Sequence, residues 1–322
     1  LMSDFPVFDL EKYFSGNIKD KIRYAKQVDE ICQSSGFLAI RNHGIKKSII
    51  KNIWSATESF FSLSSEEKNH SKVLFDGYPY GYIGTGKEAL AASKGISTPP
   101  DLKESFNGGP IRKPIHITDP DALAFCYAKT IWPTQPKNFK LAWEAYYKEM
   151  EILASKIMKI FAVALNLDET FFESYIDEPI SALRALNYPA QNLTPQTDQL
   201  RAGAHSDYGS LTILLPQEYS QGLEILSPNG NWKEVPAIPD TLIINIGDLM
   251  ATWTNDRWVS TLHRVINKNS ASKRQSIAYF HQPNWDAEIK CLPNCINDNE
   301  TPKYPSTLSG PYLMKKFQST NR

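Results

Sequence analysis

Apolar and polar residues alternate through positions 5–10 around Pro6, a pattern that predicts a short edge strand. The period then changes. Over positions 18–35, Ile22, Ala25, Val28, Ile31 and Cys32 recur at helical spacing, and Gly36 stands where a left-handed residue ends a helix. FLAIR (37–41) reads as a strand closing at an Asn42-His43-Gly44 turn. A second helix is expected over 48–62, and Ser64 with Glu67 three residues later signals the start of another. Positions 75–109, rich in Gly, Tyr and Pro, predict loops and short strands. A long amphipathic helix over about 135–165 carries Phe139, Trp143, Tyr146, Met150, Leu153, Ile157 and Phe161 on one broad face. A shorter helix, DETFFESYI, is expected after Leu167.

From position 180 to 283 the pattern becomes one of short β-branched and aromatic runs: SALRALNY, SLTILL, LEIL, TLIINI, STLHRVI and RQSIAYF. Short, evenly spaced strands without crossover helices predict an antiparallel sandwich or barrel, and among these the jelly roll often carries metal sites. Positions 296–322 return to loop and a short closing helix. The fold class is therefore α+β, a jelly-roll (double-stranded β-helix) core with an N-terminal α/β region and flanking helices.

Composition narrows the function. The 322 residues suffice for one large domain, and 35 basic against 35 acidic side chains leave no net field to draw nucleic acid or an anionic membrane. The apolar runs fall far short of the roughly 18 residues that span a bilayer. No basic-then-apolar leader is read at the start, and a cytoplasmic location is expected. The four cysteines, Cys32, Cys126, Cys291 and Cys295, lack zinc-site spacing and are expected as free thiols, with a Cys291–Cys295 pairing left open. A small-molecule substrate is expected, with no obligate protein partner evident.

The chemistry lies in the second half. His205-Ser206-Asp207 adjoins a strand, so alternation sends His205 and Asp207 to one side. His263, on a later strand, supplies a third ligand. Two histidines and one carboxylate on one face of an octahedral ion leave three open positions, which suits iron(II) that must take a chelating co-substrate and dioxygen together; zinc favours a closed set or a single open position. Arg274 and Ser276 share a face of their strand, and a guanidinium fork beside a hydroxyl suits a buried carboxylate.

These residues, within FPVFDL, GFLAIRNHGI, PDLKESFNGG, LRALNYPA, GAHSDYGSLTILL, INIGDLMATWTNDRWVSTLHRVIN and RQSIAYFHQPN, resemble the isopenicillin N synthase-like family of iron(II)/2-oxoglutarate-dependent dioxygenases along nearly the whole chain. The wording is similar to the microbial branch, typified by thymine hydroxylase, more than to the plant flavonoid enzymes. The resemblance implies iron bound by His205, Asp207 and His263, and 2-oxoglutarate held by Arg274 and Ser276, with Tyr188 and, more weakly, Asn187 beside them. It implies substrate packing by Phe280. Dioxygen is the second co-substrate, and the expected reaction oxidises a C–H bond while releasing succinate and CO2. Tyr78, Tyr80, Tyr82, Ile83 and Phe106 are further candidates for reading the substrate, with packing between the two halves as their alternative. Arg201 shares parity with His205 and could meet an acidic group, or could lie in solvent. His43, His70, His116 and His281 are expected in structural or surface roles. The expected organisation is an N-terminal dioxygenase region (2–120), linking helices (121–178), the jelly roll (179–290) and a closing tail (291–322).

Rival readings are an iron oxidase of the isopenicillin N synthase type that dispenses with 2-oxoglutarate, a non-catalytic binder on the same fold, and a zinc enzyme or cupin-type isomerase. A halogenase is disfavoured because Asp207 fills the place its chloride would need.

Overall fold

The computed structural model describes residues 4–84, 103–190, 202–266, 268 and 272–320. In the first half, β1 (Val7–Asp9), α1 (Leu10–Ser15), α2 (Ile18–Ser34), β2 (Phe37–Arg41), α3 (Lys47–Phe61), α4 (Ser65–Asn69), β3 (Tyr82–Ile83) and β4 (Glu104–Gly108) lead to the long helix α5 (Phe139–Ala164). The second half holds β5 (Ala182–Tyr188), β6 (Ala202–His205), β7 (Leu211–Pro216), β8 (Leu223–Leu226), β9 (Trp232–Glu234), β10 (Leu242–Ile246), α6 (Asp248–Trp253), β11 (His263–Val265) and β12 (Arg274–His281). The chain closes with β13 (Glu288–Ile289), β14 (Thr307–Leu308) and α7 (Ser309–Thr320).

Local chemistry sets many of these ends. Asn17 with Asp20, and Ser64 with Glu67, close capping boxes at the starts of α2 and α4. Gly36 follows α2 at φ +66, where an added Cβ would lie 2.5 Å from the Val259 carbonyl oxygen. The long helix begins at Phe139 rather than near 135, because Pro136 lacks an N–H and disfavours helical geometry in the residue before it. The helix expected in DETFFESYI is reduced to a single 3-10 turn at Glu173–Tyr175; there Phe172 and Tyr175 pack their rings at 4.9 and 5.2 Å from Trp253, so tertiary contacts override helical spacing. A π-helical turn at Ala122–Cys126 and the short α6 were not legible in the periodicity.

One sheet of eight strands runs in the order β1-β2-β10-β7-β12-β5-β4-β3, and a smaller sheet in the order β6-β11-β8-β9. All pairings in both are antiparallel except β1 with β2, at the sheet edge. The large sheet buries both faces. Leu211, Ile213, Ile244, Ile277 and Tyr279 belong to a core shared with α2, α3 and α5, while Phe37, Ala39, Ile243, Leu186 and Tyr188 meet Leu223, Ile225 and Val265 of the small sheet. This double burial explains why LIINI is apolar nearly throughout. The space between the sheets holds the chemistry.

Strand parity now decides which side chains reach that space. Phe106 does not: it is fully buried on the helix side, with ring centroids of Phe60, Phe139 and Trp143 at 5.5, 4.9 and 5.1 Å. Phe106→Ala is expected to destabilise the fold by about 3–5 kcal/mol, read as a lower denaturation midpoint with an unchanged slope.

Candidate metal centre and active-site cavity

His205 ends β6 and His263 opens β11, and the two residues are direct partners across the antiparallel ladder. The pairing brings their ring centroids to 4.3 Å. Asp207, two residues beyond β6, places Oδ1 3.6 Å from Nε2 of His205 and 3.3 Å from Nε2 of His263. One ligand atom from each residue lies within 4.8 Å of the others, and among the described residues this is the one such cluster with metal-ligand chemistry.

The surroundings aim each donor. Nδ1 of His205 lies 2.8 Å from the Gly203 carbonyl, and Nδ1 of His263 lies 3.1 Å from that of Thr261. A carbonyl only accepts, so both Nδ1 atoms carry hydrogen, and Nε2 of each ring is the atom left to face the centre. Asp207 is divided in the same way: Oδ1 faces the imidazoles, while Oδ2 accepts from Thr212 Oγ1 at 2.5 Å and Asn245 Nδ2 at 2.7 Å. Burial, aided by the charge of His263, pushes His205 down to about 3 and keeps it neutral. Burial works to raise the Asp207 carboxyl, but His263, His205 and Asn245 outweigh it and hold the group well below the usual carboxylate range. At His263 burial is in turn outweighed by Asp207, and its proton affinity rises. Two imidazoles and an ionised carboxylate with second partners on every ligand fit a ferrous ion.

The loop between the ligands is pinned from several directions. Asp248 donates its backbone N–H to the Asp207 carbonyl at 2.7 Å, and Ser210 bonds both Nδ1 (2.7 Å) and the carbonyl (2.8 Å) of the buried His281. Gly209 and Gly247 touch so closely that a Cβ on Gly247 would lie 2.1 Å from the Gly209 carbonyl oxygen.

Arg274 and Ser276 open β12 on the cavity side, both buried. The Arg274 guanidinium lies 5.3 Å from the ring centroid of Tyr188, its partner on β5, and Nε is buried with no hydrogen-bond partner in the protein. A desolvated guanidinium with an unsatisfied donor calls for an anion, and a carboxylate supplies one.

The profile of the 2OG-Fe(II) oxygenase superfamily matches residues 179–283, and that of the non-haem dioxygenase in morphine synthesis N-terminal region matches residues 5–135. A 2-oxoglutarate-Fe(II) type oxidoreductase, hxnY of Emericella nidulans, is 32% identical over 93% of this chain and 85% of its own. This chain belongs to the 2OG-Fe(II) oxygenase superfamily. It is similar also to a homoarginine-6-hydroxylase of Oryza sativa subsp. japonica, 31% identical over 93% of this chain and 90% of the relative. Among solved structures, a full-length Neurospora crassa protein in complex with alpha-KG and thymine aligns with a TM-score of 0.86 at 29% identity over 99% of both chains. The oxygenase is thus an iron(II)- and 2-oxoglutarate-dependent dioxygenase on a jelly-roll core, with dioxygen as co-substrate.

Register sorts the remaining candidates of the oxygenase. Phe280 faces the cavity opposite Thr212, and Ile83 pairs with Ser105 on the cavity side of β4. Asn187 is a correction: it alternates to the helix side and donates its amide to Glu104 at 2.9 Å, away from Arg274. Tyr82 likewise donates to Glu104 at 2.5 Å, Tyr80 to the Cys126 carbonyl at 2.9 Å and Tyr78 to the Lys129 carbonyl, so the hydroxyls of these three tyrosines are taken up by partners within the first half of the chain. Arg201 lies outside the described residues. Cys291 and Cys295 are free thiols. Neither Thr212 nor Asn245 was anticipated; each is a lone polar residue in an apolar strand, and that was the available signal. Arg184, opposite Ala278 of β12 and Asn107 of β4, also shares the cavity face and was missed, although it has the parity of Tyr188.

His205→Ala and Asp207→Ala are each expected to reduce bound iron to background with far-UV circular dichroism preserved. Asn245→Leu should weaken iron binding by about 10- to 100-fold, through the loss of one donor to Asp207, measured by anaerobic titration.

Proposed function

We propose that the oxygenase hydroxylates a small polar organic molecule, with Arg274 and Ser276 seating the distal carboxylate of 2-oxoglutarate and Tyr188 packing beside them. The buried, unsatisfied Nε of Arg274 on the same face as Ser276 carries this reading. His205, Asp207 and His263 hold the iron. When bound, iron and 2-oxoglutarate would supply, with dioxygen, the oxidising chemistry that puts one oxygen atom into a C–H bond and the other into succinate, with release of CO2.

The protein's own part is positional. A fork at Arg274 would hold one end of the co-substrate and so limit its orientation relative to His205, Asp207 and His263, which would hold the metal. Phe280, opposite Thr212, stands where a substrate would lie between β12 and the metal, and its ring offers a flat apolar wall. Ile83 continues the apolar surface, whereas Arg184 and Asn107 give it a polar edge suited to carbonyl or carboxylate acceptors. The relatives support a small, polar substrate: one solved structure holds thymine, and curated relatives are named for homoarginine and validamycin A. The four free cysteines support a reducing setting such as the cytoplasm.

A succinate-release screen of the iron-loaded oxygenase against nucleobases, amino acids and small carboxylic acids is expected to show substrate-dependent turnover of 2-oxoglutarate. Oxygen uptake with substrate but without 2-oxoglutarate would overturn the proposal. Arg274→Leu should raise the 2-oxoglutarate KM by an amount equivalent to about 2–5 kcal/mol, and an unchanged KM would remove the clamp assignment.

A further inference from the structure

The two histidines of the metal centre are fixed by the ladder between β6 and β11, whereas Asp207 lies two residues beyond β6 and outside that ladder. Its main chain is held from elsewhere. At the start of α6, the N–H groups of Gly247, Asp248 and Leu249 donate to the carbonyls of Ser210 (3.2 Å), Asp207 (2.7 Å) and Tyr208 (3.1 Å). The first N–H groups of a helix have no partner within it, and here the metal loop takes them. The shortest of the three bonds, from Asp248, reaches the ligand residue itself.

The Asp248 carboxylate is in turn tied through both oxygens. Oδ1 accepts from the Ser260 hydroxyl at 2.6 Å, and Oδ2 accepts from Lys316 of α7 at 2.9 Å. Ser260 precedes Thr261, whose carbonyl meets Nδ1 of His263 at 3.1 Å. Asp248 therefore links the segment that carries Asp207, the segment that leads to His263, and the C-terminal helix. A second contact runs beside it: Tyr208, next to Asp207, meets the Phe317 ring at 5.5 Å and Thr320 Oγ1 at 2.5 Å. Lys316 and Phe317 each lie about one turn from Thr320, so all three fall on one side of α7. Within α7 only Ser309 and Gly310, in the first turn, are buried, and the later turns depend on half-buried contacts such as these.

We infer that Asp248 is a positioning residue for the iron centre, through which docking of the C-terminal helix by Lys316 strengthens the hold on iron(II). This role rests on the ligation by His205, Asp207 and His263 proposed above. Linkage makes it reciprocal: whatever the docked α7 adds to iron affinity, bound iron adds to the docking of α7.

Anaerobic titration of iron(II) into the full chain, with amide hydrogen exchange of α7 followed before and after, tests it. Asp248→Ala is expected to weaken the iron Kd by about tenfold or more, and Lys316→Met by about three- to fivefold. The double variant should bind no more weakly than Asp248→Ala, because Lys316 acts through that carboxylate. In the wild type, iron(II) should slow amide exchange in the later turns of α7, and in Asp248→Ala at saturating iron(II) it should not. A purely structural role would lower the denaturation midpoint and leave iron affinity unchanged. Asp248→Asn, which keeps the side-chain shape and loses the charge, takes the place of Asp248→Ala if the latter does not fold. An affinity within about twofold of wild type in either single variant, losses that multiply in the double variant, or α7 exchange indifferent to iron overturns the role of Asp248. Full iron binding by His205→Ala would instead sink the ligand set itself.

Discussion

The carboxylate of Asp207 is the joint on which the centre depends. One oxygen faces the two imidazoles of the small sheet, and the other is fixed by Thr212 and Asn245 of the large one. The ligand geometry is therefore tied to the separation of the two sheets, which the apolar filling of Phe37, Ile243, Leu223, Ile225 and Val265 maintains. Packing between sheets and coordination at the metal are one constraint: a shift that loosened the filling would part Asp207 either from its imidazoles or from its supports. The ring of Phe37, 5.3 Å from that of His263, belongs to both.

The large sheet separates architecture from chemistry by alternation. On its helix side, Phe106, Tyr82, Asn187 and Glu104 fasten the first half of the chain to the second, and the Glu104 carboxylate, buried with Lys68, is satisfied by several donors as a buried charge requires. On its other side, the same strands present Ser105, Asn107, Arg184, Tyr188, Arg274 and Phe280 toward the metal. Neighbouring residues thus have unrelated duties. Arg274 meets the cavity while Gln275, next in sequence, donates to Thr57 of α3 at 2.9 Å.

The C-terminal helix joins this arrangement beside the metal loop. Phe317 packs on Tyr208 at 5.5 Å between ring centroids, and Lys316 reaches Asp248 at 2.9 Å, the residue whose N–H supports Asp207. Elements from both ends of the chain, β2 and α7, therefore border a site whose ligands all lie between 205 and 263. Burial of this kind makes the electrostatics strong. With little water to screen them, the imidazoles and Asp207 shift one another's proton affinities, and a guanidinium left with an unsatisfied Nε becomes a specific demand for an anion.

By itself the sequence determined what local chemistry controls. Capping residues and Gly36 delimit the early helices, period-two runs mark the strands of the second half, and a His-x-Asp pair, a later His and an Arg-x-Ser pair carry the chemistry, because side-chain identity and parity are encoded within a few residues. What only the tertiary structure decided was which face of each strand met the metal and which met the helices. Asn187 and the three tyrosines looked like cavity residues because aromatic and amide groups near a motif carry no label of direction; register with β4 turned Asn187 and Tyr82 away, and the Lys129 and Cys126 carbonyls take the hydroxyls of Tyr78 and Tyr80. Thr212 and Asn245 drew no notice, since their meaning arises from Asp207, which lies on another part of the chain: an isolated polar residue in an apolar run becomes a ligand's support only when the fold sets a carboxylate against it.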